Sequence, residues 1–144
     1  MCLSNVRKVT PSRQTGIGYK VVRVNPDGTF SPRYPYMSPR FGGINSTQHE
    51  DRAIKIRIVY KLGVKTYTKS KTIVQPDSCV KYEAGIHLFK HQIEARCHYH
   101  VSRKYILALI KCQYYKAYAQ DDMQIVAKAI KPLEVIYEQN QVHY

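Results

Sequence analysis

Residues 105–112 read Tyr-Ile-Leu-Ala-Leu-Ile-Lys-Cys and are apolar on both sides of an extended chain. Leu107 and Leu109 point one way; Ile106, Ala108 and Ile110 point the other. A segment of this kind must be covered on both faces, so it predicts a central strand between two layers. It also holds the longest apolar run, residues 105–110, far short of the roughly 18 residues a membrane-spanning helix needs. The opening Met1-Cys2-Leu3-Ser4-Asn5-Val6 has no hydrophobic signal region. The expectation is an intracellular, cytoplasmic chain with no membrane partner. Its 144 residues suit one domain, which at this size buries roughly 68–70% of its unfolded surface and needs no staples. The four cysteines, Cys2, Cys79, Cys97 and Cys112, are scattered without a CxxC, so they predict free thiols and no zinc ribbon.

Period-two alternation organises much of the remainder. Gly18-Tyr19-Lys20-Val21-Val22-Arg23-Val24 predicts a strand. Asn25-Pro26-Asp27-Gly28 predicts a tight turn, because Pro fixes one φ and Gly supplies a positive one. Thr29-Phe30-Ser31 returns as a short partner. Residues 1–16 read as an N-terminal arm. Residues 32–50, broken by Pro32, Pro35, Pro39, Gly42 and Gly43, predict a long loop of the kind that binds or covers a ligand. Ile54, Ile56, Ile58, Tyr60 and Leu62 share one face, Gly63 turns the chain, and residues 64–74 alternate again, which predicts a half-buried β-hairpin. Gly85-Ile86-His87-Leu88-Phe89 predicts a short buried strand. Residues 90–100 predict the one main helix, with Ile93 and Cys97 on its inner face. Gln120-Asp121-Asp122 reads as a turn, with two strands, 123–130 and 133–137, around Pro132. Their open edges invite a second copy of the chain, a homo-oligomer. The fold class is α+β: a single domain over residues 1–144, mostly antiparallel twisted sheet, with a basic hairpin and one main helix at about 90–100.

Charge narrows the function. Lys plus Arg is 23 against 10 for Asp plus Glu, a net +13, so the partner is anionic. Residues 52–71 hold seven basic residues and no acid. Lys55, Arg57, Lys65, Lys69 and Lys71, with Tyr67 among them, supply the cations and ring that hold phosphates and stack on bases. A second constellation lies in the long loop and the strand before it: Tyr19, Arg23, Arg33, Tyr36 and Arg40, with His87 and Arg103 close enough in the predicted order to join them. Arginines fork onto phosphates and tyrosines sandwich a base. His87, His91, His98 and His100 lack the spacing of a metal site, and neither a P-loop nor a GxGxxG is present. No metal, cofactor or catalytic residue is expected, and the chain reads as a binder rather than an enzyme.

Four segments carry a resemblance: the opening Met1–Val6 stretch, Gly18-Tyr19-Lys20-Val21-Val22, the unit Ala84-Gly85-Ile86-His87-Leu88-Phe89 before a helix, and Ile125-Val126-Ala127-Lys128 with Lys131-Pro132-Leu133-Glu134. Together they resemble small accessory proteins of bacteriophages and other large DNA viruses. That resemblance implies a viral protein in the host cytoplasm that sequesters a nucleotide signal, cyclic or ADP-ribose-derived, to counter host defence. The Gly-Ile strand, helix and apolar strand are also similar to the core of ADP-ribosyltransferases. There His87 stands where that family often has a tyrosine, and Glu134 or Glu138 would serve as the catalytic glutamate. Three expectations follow. The first is a nucleotide-sequestering protein using Tyr19, Arg23, Arg33, Tyr36, Arg40, His87 and Arg103. The second is a nucleic-acid binder using the basic hairpin. The third is a divergent ADP-ribosyltransferase.

Overall fold

The doubly apolar segment lies at the centre of the structure, a computed structural model. The structure describes residues 15–33, 58–68, 85–99 and 105–138, together with the backbone of five short strands. These are β1 (Arg7–Lys8), β4 (Tyr36–Met37), β5 (Ile54–Lys55), β7 (Ile73–Val74) and β8 (Tyr82–Glu83). The longer elements are β2 (Gly16–Val24), β3 (Phe30–Pro32), β6 (Thr66–Tyr67), β9 (Ile86–Phe89), α1 (Gln92–Cys97), β10 (Leu107–Gln120) and β11 (Gln124–Glu138). The architecture is mostly antiparallel sheet in one small domain, with one helix of 6 residues among the described residues.

Strands β10 and β11 form a long hairpin. Asp121 makes its turn: Oδ1 accepts the N–H of Met123 (2.8 Å) and of Gln124 (2.6 Å), and the acid is buried beneath them. The outer edge of β10 takes β2, Leu107 opposite Arg23 through Tyr114 opposite Gly16, and then β1 at Ala119 and Gln120. The outer edge of β11 takes β9 along residues 124–127 and β6 at Ala129 and Ile130. Tyr19 pairs with Phe89, so β2, β10, β11 and β9 close into a ring. β3 extends β2, held by a turn in which Gly28 has φ 85° and Asp27 Oδ1 accepts from the Thr29 N–H and hydroxyl. Outside the seven-stranded sheet, β4 pairs with β5 and β7 with β8.

Alternation sorts the apolar residues onto the two sides of the ring. Val22, Phe30, Tyr60, Ile86, Leu88, Ala108, Ile110, Cys112, Ile125 and Ile130 fill the inside. Val21, Phe89, Leu107 and Leu109 face out and are covered by Ala95 of α1, with Tyr19, Tyr99 and Tyr105 around them. The central strand is thus covered on both faces, as its pattern requires.

The structure corrects four expectations. The arms on either side of Gly63 turn as expected, with φ 76° at the glycine, but among the described residues they do not pair with each other. Tyr60 bridges Phe30, while Thr66 and Tyr67 pair with Ile130 and Ala129. Alternation specifies a buried face, not a neighbour, and β3 and β11 offered unpaired edges nearer the core. Residues 124–138 form one strand rather than two. Pro132 cannot donate to a ladder, but it sits at a register shift between Lys111 and Cys112, and its carbonyl accepts the Gly63 N–H at 2.7 Å. The helix is shorter than expected. Its inner residue is Ala95, whereas Ile93 is 72% exposed and Cys97 is exposed. A helix this short docks through one residue, and the small Ala95 lets it approach the sheet.

Candidate functional site

Of the set predicted to clamp a nucleotide, Arg23 and Arg33 meet at the junction of β2, β3 and the end of α1. Both arginines are tied into the fold there. Arg23 Nε donates to the Pro32 carbonyl at 3.0 Å, and its guanidinium lies 4.6 Å from the centre of the Tyr105 ring. Arg33 Nη1 donates to the His98 carbonyl, joining the end of β3 to the helix end. Tyr19 packs in the apolar layer beneath α1. Tyr36 lies opposite Lys55 in the β4–β5 pair, which places one residue from each predicted set side by side. Arg40, Arg57, Lys69, Lys71 and Arg103 fall outside the described residues.

His87, on β9, adds no positive charge near neutrality. Burial holds its imidazole down at about 3, and the nearby Lys20 ammonium pushes the same way. Lys20, on the neighbouring strand β2, donates to the His87 carbonyl at 2.8 Å. Glu134 and Glu138 are exposed toward the far end of β11, away from His87, which pairs with Val126. No helix among the described residues is long and apolar enough to cross a membrane.

Of the basic-hairpin set, Lys65 and Tyr67 lie on the outside of β6, β11 and β10, among residues of the β10–β11 hairpin. Tyr67 lies opposite Ala129, and Ala129 lies opposite Tyr115, so two tyrosines flank a small residue in one row across three strands. The Lys65 ammonium stands between the rings, 5.0 Å from the centre of Tyr67 and 3.9 Å from that of Tyr115. Lys116 lies 6.0 Å from the Tyr67 ring, and Lys128, opposite Lys116 on the next strand, lies 4.7 Å from the Tyr118 ring. The Tyr67 phenol is held below its ordinary range, chiefly by its hydrogen bond with Lys65. Residues 64–68, 107–120 and 124–130 contain no acid. Cations over ring faces are attracted by the ring quadrupole, by about 0.5–1 kcal/mol when exposed.

Lys116 has φ 54°, a left-handed conformation that favours glycine, within a strand whose register shifts just beyond it. This twist brings the side chain out beside Tyr67. The strain costs on the order of 1 kcal/mol. Lys116→Gly is therefore expected to raise stability by about 1 kcal/mol while removing a cation from the patch. Urea unfolding checks this, and a loss of stability would show that the lysine is needed for folding.

Sequence reasoning found Lys65 and Tyr67 and missed Tyr115, Lys116, Tyr118 and Lys128. Their signal was the density of rings and lysines in Tyr114-Tyr115-Lys116-Ala117-Tyr118, which reads as the tail of a buried strand until β6 is known to pair with β11. The fold and site define a small antiparallel ring with a lysine–tyrosine outer face. Comparison with protein-family models, curated proteins and solved structures finds no match.

Proposed function

We propose that the protein binds nucleic acid along the outer face of β6, β11 and β10. The observation that carries this reading is the interleaving of Lys65, Lys116 and Lys128 with Tyr67, Tyr115 and Tyr118 on neighbouring strands, in a chain of net charge +13. Lysines neutralise phosphates and release counterions, and rings beside them give sequence-tolerant stacking. Three ammonium groups predict a slope of about −2 to −3 in log affinity against log salt. Fluorescence anisotropy of a labelled oligonucleotide in a salt series tests this. Lys128→Gln should flatten the slope by somewhat under one unit. Failure to bind at low salt removes the proposal.

Capture of a small nucleotide by a viral accessory protein is a second reading, supported by Arg23 stacked over Tyr105. Its arginines already serve backbone carbonyls of β3 and of the helix end, which favours the polymer. Calorimetry with cyclic nucleotides and ADP-ribose separates the two: saturation by a mononucleotide, with no polymer bound, would reverse the preference.

A further inference from the structure

The position of Lys65 suggests what the face holds. Its ammonium occupies the space between the Tyr67 and Tyr115 rings. The two distances put the ring centres at most about 9 Å apart, in keeping with two strand spacings of about 4.8 Å each. Ala129, which separates the tyrosines in the row, is fully buried and contributes only a methyl group, so the space is bounded by rings at its sides and closed below. Tyr67 is 50% exposed and Lys65 is exposed, so the slot opens to solvent.

A flat, electron-poor ring can replace a cation between two aromatic faces, because stacking uses the same surfaces. We infer that the slot between Tyr67 and Tyr115 takes one unpaired nucleobase, with Lys65 swinging out to the adjoining phosphate. This rests on the nucleic-acid reading above and deepens it by naming the ligand as single-stranded. A base held in a duplex has its faces covered by its neighbours and cannot enter. Lys116 and Lys128 lie to one side of the slot, where the backbone of a strand leaving it would pass.

The test compares a single-stranded oligodeoxythymidine of about 15 nucleotides with a duplex of the same length, for the wild type, Tyr67→Leu and Tyr67→Phe. The chain has 13 tyrosines and no tryptophan, so tyrosine emission reports stacking directly. The single strand should bind the wild type at least tenfold tighter than the duplex and quench tyrosine emission. Tyr67→Leu should lose about tenfold or more on the single strand, lose part of the quenching, and leave duplex affinity unchanged. Tyr67→Phe keeps the ring and loses only the hydroxyl bonded to Lys65, so it should bind at least as well as the wild type. Equal or tighter duplex binding, or the same loss in Tyr67→Leu for both ligands, overturns the base slot and leaves the nucleic-acid reading standing. Binding of neither ligand overturns both.

Discussion

Acidification from neutrality to about pH 4 should cost the fold about 3 kcal/mol through His87 alone. The imidazole ordinarily titrates near 6.5, and burial, aided by Lys20, holds it down at about 3. Below 6.5 the unfolded chain takes up a proton on this residue that the folded chain refuses until about 3. In that window the unfolded state binds more protons, so stability falls as pH falls. At about 1.4 kcal/mol per unit the whole window carries about 4–5 kcal/mol, and the part of it above pH 4 carries about 3. Urea unfolding near pH 7 and near pH 4 measures it, with His87→Gln as the control whose loss should be smaller by that amount. By NMR, one of the six histidines should stay neutral to about pH 4. Identical acid losses in the variant and the wild type would show that His87 does not titrate this way.

Alkaline pH should reveal the opposite tendency inside the ring. Burial pushes the Lys20 ammonium from 10.5 down to about 8, and pushes the Cys112 thiol from 9.0 up to about 12. Between about 8 and 10.5 the unfolded chain keeps a proton on Lys20 that the folded chain has released, so stability rises with pH. Between about 9 and 12 the folded chain keeps a proton on Cys112 that the unfolded chain has released, so stability falls with pH. The wild type should therefore gain about 1 kcal/mol up to pH 9, stay level to about 10.5 and then decline. Cys112→Ala removes the opposing branch and should gain about 3 kcal/mol over the Lys20 window. The double variant with Lys20→Met should lose that gain. Denaturant midpoints across the pH series give the comparison. A steady decline from pH 8 in Cys112→Ala would refute the assignment to Lys20.

Parts of this fold that depend on neighbouring residues were legible in the sequence. The two-sided apolar pattern of residues 105–112 marked the central strand, and Asn25-Pro26-Asp27-Gly28 and Asp121 marked their turns through backbone geometry and short side-chain acceptors. Parts that depend on which strand lies alongside which were not. Tyr60 and Tyr67 alternate as one hairpin would, yet their partners, Phe30 and Ala129, are remote in sequence, and period two carries no address. Pro132 read as a break because a proline lacks an N–H, whereas a register shift accommodates it within one strand. The same limit applied to the site. The surplus of lysines was plain, but the meeting of Lys65 with Tyr115 exists only once β6 docks on β11, and that of Lys128 with Tyr118 only once β10 and β11 are in register.

The closed ring has a further consequence. Because Val22, Leu88, Ile110 and Ile130 pack the interior of the ring, the ring itself has no room for a guest, and a strand bound as proposed would be met on its outer wall. A concave receptor gains selectivity by enclosing its guest. A rounded wall gains grip by extending the track of contact, so its ideal guest is long and pliable and wraps part of the circumference. The residues that keep the barrel shut are then almost wholly distinct from those that greet the visitor, and recognition can be retuned at the rim without disturbing what holds the wall together.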